Sequence, residues 1–284
     1  MTFWKKWEEQ LFKIISMLSA YTVIAILSCL LIVVFGKGVK ALSWEIVFSI
    51  PQGGYYFGGG GGIWNAIVGS FYISGGATLL AVFIGVPVAL FMNVQLVRFK
   101  RTQSLLRFFL DALWGIPSIV YGAFGFAVML YFGIHASLIA GIITVALLIT
   151  PILTRAFDEV LKTIPFEIQE ASYSLGATQT ETALRVLFKQ GLSGFITALL
   201  LAFGRGIGDA ASVLFTAGYT DNIPLTLDEP VATLPLSIFF QLSSPIENVR
   251  QRAYAAAVIL TIIILIISLS ARILSKRYAK HIIK

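Results

Sequence analysis

Ile164-Pro165-Phe166-Glu167-Ile168-Gln169-Glu170-Ala171-Ser172-Tyr173-Ser174-Leu175-Gly176-Ala177-Thr178 is the polar gap in a chain otherwise built of apolar runs. Inside the next run lies Gly204-Arg205-Gly206-Ile207-Gly208-Asp209. An amphipathic block between greasy segments, followed by an ionic pair buried in one of them, describes a membrane protein that is pushed from one face and passes a charged solute.

Working outward, 57% of the 284 residues are hydrophobic and 12% are charged, with a mean hydropathy of +0.87. That leaves too little polar surface for a water-soluble globule of this size. A helix rises about 1.5 Å per residue, so roughly 20 apolar residues cross a hydrocarbon core of about 30 Å. Six runs reach that length: Ile14 to Phe35, Ile63 to Met92, Leu105 to Phe132, Ala136 to Thr154, Leu192 to Gly218 and Ala253 to Leu274. The expected fold is all-α, a single polytopic membrane domain over 1–284 with about six transmembrane helices and a cytoplasmic loop at 164–189. Pro87, Pro117 and Pro151 sit inside or at the ends of these runs, where a missing N–H bends a helix.

Six crossings put both termini on one side, and the basic residues choose it. Lys5, Lys6, Lys13, Arg98, Lys100, Arg101, Arg107, Arg155, Lys162, Arg185, Lys189, Arg272, Lys276, Arg277, Lys280 and Lys284 share one side. The other holds Lys37, Lys40, Arg250 and Arg252, with Arg205 inside a run. The bias predicts cytoplasmic termini in a prokaryotic plasma membrane and assigns the formal charge of +7 to lipid topology, with no nucleic-acid partner. The first run is longer than the core of a cleaved signal and reads as a retained span. Cys29 lies within it and forms no intrachain disulfide, being the one cysteine.

Residues 36–62, with Pro51 and the run Gly58 to Gly62, read as a flexible outer connector. A phosphate-cradling loop is a poor match, because no strand precedes it and no Gly-Lys-Ser/Thr follows. The second outer loop, about 219 to 250, holds the apolar Leu234 to Leu242 among four prolines, either a docking platform for an extracytoplasmic partner or a lid over the bundle.

Within the polar block, Ile164, Ile168, Ala171 and Leu175 recur at helical spacing, with Glu167, Glu170 and Ser174 on the adjoining face. Pro165 suits a first turn, Gly176 ends the helix, and Thr178-Gln179-Thr180-Glu181 is a capping box opening another. Two short helices at about a right angle could fill a groove on a partner or simply connect two spans.

Glu170-Ala171-Ser172 with Gly176 resembles the EAA loop of ABC-importer permeases, whose pattern closes on Ile-x-Leu-Pro where this chain has Val186-Leu187-Phe188-Lys189. Over nearly its full length the chain is similar to the phosphate-uptake permeases, PstA-type subunits in particular. The matching pieces are Gly60 to Gly69, Gly115 to Gly122, and Arg205-Gly206-Ile207-Gly208-Asp209-Ala210-Ala211 with Thr216-Ala217-Gly218. That family usually has Glu at the position of Asp209. The resemblance implies a transmembrane permease that works with a second permease subunit, a dimer of ABC ATPases binding ATP and Mg, and an extracytoplasmic phosphate-binding protein. It implies that Glu167, Glu170, Ala171 and Gly176 take the ATPase stroke, and that Arg205 and Asp209 serve transport.

Read from the residues themselves, an Arg in mid-span costs roughly 2.5 to 3.5 kcal/mol by insertion scales and needs a counter-charge, which Asp209 one turn on would supply. If the fifth run is one helix, Ala198, Ala202, Arg205, Asp209, Ser212 and Thr216 form a stripe of small and polar side chains. It either lines an anion pathway or lets helices pack closely. A guanidinium matches the oxygens of an oxyanion. Asp111, one turn after Arg107, reads as structural, and His135 and His281 lie on opposite sides, so no metal site is expected.

The chain has no Walker A sequence, paired-His motif or Gly-x-Ser-x-Gly, and reads as no enzyme. The expectation is the permease subunit of an ATP-driven importer of inorganic phosphate. The alternatives are a proton-coupled secondary anion transporter, or an importer permease for another oxyanion such as sulfate or molybdate.

Overall fold

A computed structural model describes residues 3–278. Lys280, His281 and Lys284 lie outside the described residues. Among the described residues the regular structure is helical: α1 (Phe3–Ala41), α2 (Trp44–Phe48), α3 (Trp64–Val94), α4 (Lys100–Trp114), α5 (Ser118–Phe132), α6 (Leu138–Lys162), α7 (Phe166–Ser174), α8 (Gln179–Glu181), α9 (Phe188–Ile207), α10 (Leu234–Leu242) and α11 (Glu247–Tyr278).

The bundle is organised by α3 against α6. On α3 the inward positions are small or short, with Ala77, Ala81 and Ala89 fully buried, while Leu79 and Phe83 point outward. Such a face lets two backbones approach closely in lipid, where apolar burial alone gives helices no reason to associate. A Cβ on Gly85 would lie 2.9 Å from the Thr154 hydroxyl, so the crossing admits nothing larger. On α6, Thr144, Thr150 and Thr154 donate to the carbonyls four residues back, which satisfies their hydroxyls within the helix. Pro87 and Pro151 stay inside continuous helices rather than ending them.

Among the described residues, five helical stretches are long and apolar enough to cross a membrane. The third expected run departs from a single span: α4 and α5 meet at 92°. The cause is local. Pro117 caps α5, Ile116 before it is pushed out of helical geometry, and the Leu113 carbonyl, which has no donor from Pro117, accepts from Ile116 N–H at 3.1 Å and from the Tyr121 hydroxyl at 2.8 Å. At 15 residues α5 spans only about 22 Å, while α4 shows Leu105, Phe108, Phe109 and Trp114 on its surface between Lys100, Arg101 and Arg107. The amphipathic α4 has the pattern of a helix lying along the membrane surface.

The fifth expected run, Leu192 to Gly218, is helical only to Ile207. Gly204, Gly206 and Gly208 each weaken a helix by about 1 kcal/mol relative to alanine, and the chain leaves helical geometry at the last of them. Residues 208–219 then run as turns, closed by Thr216 N–H and Ala217 N–H donating to Val213 O and by Ser137 N–H donating to Thr216 O.

The segment between α2 and α3 is packed where a flexible connector was expected. Gly61 takes φ +105°, and its neighbours pair with the segment before α3: Gly62 N–H donates to Ile50 O and Ile63 N–H to Ile46 O. A side chain on Gly62 would collide with the Glu45 and Ile46 carbonyls, so the glycine run is there for close approach rather than for freedom. Arg252 of α11 is buried beneath it, stacked 4.2 Å from the Tyr55 ring and donating to Tyr55 O and Gly59 O. Burial and the neighbouring Tyr219 push the Tyr55 hydroxyl up to about 12. The helix α10 is likewise inside: Leu234 and Leu236 are fully buried, and the Ser70 hydroxyl of α3 accepts from Leu234 N–H at 2.8 Å.

Candidate functional site

Two places carry the expected functional residues, the end of α9 and the block after α6. Arg205 occupies the last turn of α9, exposed, with no ion pair or hydrogen bond among the described residues. Asp209 does not supply its counter-charge. The chain has turned away by then, and the buried Asp209 carboxylate instead accepts from Ser212 N–H at 2.8 Å, capping the turn that follows. The Arg/Asp pair and the continuous helical stripe expected from the sequence are therefore replaced by a helix end and a folded-back segment.

Ser212 and Thr216 are fully buried in that segment. Thr216 donates to Ser212 O at 3.2 Å, while the Ser212 hydroxyl has no partner. Both residues press against α5, where a Cβ on Gly122 would lie 2.7 Å from Ala211 O and one on Gly125 would lie 2.6 Å from the Thr144 hydroxyl. The two glycines of α5 thus make room for an irregular backbone at membrane depth, an arrangement tolerated only where protein or water covers it. Arg205 sits at the mouth of this element, and the other three sit within it.

In the block after α6, α7 ends as expected: Gly176 takes φ +84°, and Thr178 with Glu181 forms a reciprocal capping box. The helix that opens there is not short, because Thr182–Leu187 continues in π geometry directly into α9. With Lys189 where the resembled pattern has proline, nothing interrupts it.

The faces of α7 also differ from the spacing argument. Ile168 is half-buried and Gln169 and Ser172 are buried, whereas Ala171 and Leu175 point outward, Leu175 being 89% exposed. Ser172, which stands for the second Ala of the pattern, meets the Thr182 hydroxyl at 2.9 Å inside the block and ties α7 to the next helix. What remains outside is Phe166, Glu167, Glu170, Ala171 and Leu175, an acidic and apolar face with nothing covering it.

A third cluster escaped the sequence reading. Asp158, on the last turns of α6, has no exposed surface and accepts from Arg107 Nε and Nη2 at 2.9 Å each and from Asn93 Nδ2 at 2.8 Å, with Arg155 and Lys162 completing its shell. Arg155 reaches on to Asp111 at 2.8 Å, so Asp111 pairs across to α6 and not with Arg107 on its own helix. The cluster fastens α3, α4 and α6 together just before α7. The available signal was an acid with basic residues three before and four after it on one helix face.

Residues 85–282, most of the chain, match the family described as the binding-protein-dependent transport system inner membrane component. The chain belongs to that family. It is 31% identical over 272 residues to the phosphate transport system permease protein PstA of Haemophilus influenzae, covering 95% of each chain. It is 34% identical over 221 residues to the protein of that name from Xylella fastidiosa, covering 76% of each. Among solved structures it is similar in fold to an inward-facing MetNI methionine ABC transporter, with a TM-score of 0.60 at 19% identity over 76% of this chain and 97% of that one. As an inner membrane component with several crossing helices it is a multi-pass membrane protein.

Proposed function

We propose that the chain is the permease subunit of an ATP-driven importer of inorganic phosphate, its ATPase being a separate subunit that binds ATP and Mg. The observation that carries the reading is the guanidinium of Arg205, exposed and without a partner on a membrane-spanning helix. A charge so placed cannot rest in lipid and must face water or another protein. A pathway between this chain and a second permease subunit satisfies it, and paired N–H donors suit a tetrahedral oxyanion. PstA relatives matching along 95% of the chain support phosphate as that anion.

The outward face of α7 is the surface for the ATPase dimer. Phe166 and Leu175 offer apolar anchors and Glu167 and Glu170 offer charge, the composition of a helix that lies in a groove of its partner. Motion there passes directly into α6, which ends one turn before α7, and through Ser172 and Thr182 into the helix that carries Arg205. The Asp158 cluster makes α3 and α4 move with α6. Both termini lie on the cytoplasmic side in this reading, and the packed outer loops face an extracytoplasmic phosphate-binding protein.

The test is uptake of radiolabelled phosphate into liposomes holding the assembled complex with its binding protein outside and ATP within. Uptake should vanish when the ATPase or ATP is left out. Equal uptake without the ATPase means a secondary transporter, and uptake of sulfate in preference to phosphate means a different cargo.

A further inference from the structure

Four cations lie on the outer side of the topology, against the bias that keeps Lys and Arg cytoplasmic. One of them, Arg252, is accounted for by its buried stack on Tyr55. The other three, Lys37, Lys40 and Arg250, come from opposite ends of the sequence, yet they line one open cleft of 570 Å³ between the end of α1 and the first turns of α11, together with Glu247, Gln251 and Tyr254.

Within the cleft the Lys37 ammonium lies 5.0 Å from the centre of the Tyr254 ring and donates to its hydroxyl at 3.4 Å. Arg250 pairs with Glu247, which leaves Lys37 and Lys40 as positive charge without an acidic partner among the described residues. Charges gathered in this way repel one another unless an anion joins them.

Lys37 lies two residues beyond Phe35, where the apolar run ends, so the cleft opens where hydrocarbon gives way to headgroups. Ile32, Val33 and Val39 beside it are exposed on α1, a surface for acyl chains. α1 and α11 cross closely at Gly38, where a side chain would collide with the Tyr254 carbonyl and with Val258. The apolar window of α1 has no buried residue.

We propose that this cleft holds the phosphodiester headgroup of an anionic phospholipid of the outer leaflet, with Lys37, Lys40 and Arg250 donating to its non-bridging oxygens. The lipid bridges α1 and α11 beside their close crossing at Gly38 and helps seat α1 on the bundle. Free orthophosphate offers the same oxygens, but it lacks the chains that would lie along Ile32 and Val33. The site stands apart from the transport reading and rests on neither its cargo nor its motor.

Native mass spectrometry of the purified full-length chain, exposed to phosphatidylglycerol, to phosphatidylcholine or to inorganic phosphate, tests it. Two cations beyond the Arg250 pair should give phosphatidylglycerol roughly a 30-fold advantage over phosphatidylcholine. K37Q/K40Q/R250Q should abolish that preference, K37R/K40R should keep it, and K13Q at the far end of α1 should leave it unchanged. Equal retention of the two lipids overturns the proposal, as does a preference that survives the triple substitution. Displacement of phosphatidylglycerol by millimolar inorganic phosphate overturns it in favour of a free-anion site. If the triple variant misfolds, K40Q alone, at an exposed lysine, should lower the preference, and no change there counts against the site.

Discussion

The last turns of α6 and the last turn of α9 each present one decisive charge, and they treat it in opposite ways. Asp158 is sealed from solvent and surrounded by Arg107, Arg155, Lys162 and Asn93. Arg205 is exposed and has no such company. A buried charge that holds structure together must be satisfied in every direction, since an unpaired one costs several kcal/mol. A charge that meets a passing solute has to be left unsatisfied until the solute arrives. In the proposed reading the contrast separates a fastening, Asp158, from a group left open for the anion, Arg205.

Substitutions can break that contrast or sharpen it. Asp158→Ala leaves Arg107 without its acid and removes the shared centre of Arg155 and Lys162, and should cost about 3–5 kcal/mol, lowering the amount of folded protein in membranes and its thermal midpoint in detergent. A variant as abundant and as stable as the parent would reduce the cluster to decoration. Arg205→Gln should do the reverse, leaving abundance and subunit assembly alone while phosphate uptake falls about 10- to 150-fold, the worth of a charged hydrogen bond. Loss of assembly instead would move Arg205 to the fastening side of the comparison.

Gly176→Val forces a branched residue into left-handed backbone at roughly 1–2 kcal/mol, and should distort the turn after α7 so that ATP is hydrolysed with less phosphate moved per turnover. Unchanged coupling in the assembled complex argues that the turn plays no part in the stroke. Ser172→Ala removes the bond to Thr182, about 1 kcal/mol, and the expected result is a small drop in coupling with normal abundance.

How much of this could be read from residues alone follows the range of the interactions. Apolar runs and local caps are written in neighbouring positions, so the crossing helices, the Gly176 terminus and the Thr178–Glu181 box were legible. The end of α9 was not, because a 100° projection assumes the helix it is meant to test, and three alternating glycines outweighed the apolar character of Val213 and Leu214. Spacing groups Ala171 and Leu175 with Ile164 and Ile168 on one face, yet the buried side of α7 is set by Ser172 meeting Thr182, a pairing made by the fold. The charged cluster joins residues 51 and 65 positions apart, from Arg107 and Asn93 to Asp158, and no local pattern records such a meeting. The glycine run misled for a related reason: flexibility in isolation becomes close fit once Arg252, 193 residues away from Gly59, lies beneath it.

That α9 stops at Ile207 has an electrical consequence. The final carbonyls of a helix carry roughly half a negative charge between them, and Arg205 stands among the residues of that closing turn. Its cationic field is thereby partly cancelled by backbone alone, with no acid to compete for the visitor. An oxyanion arriving there would meet a shallow electrostatic well, deep enough to pause in and weak enough to leave on the far side.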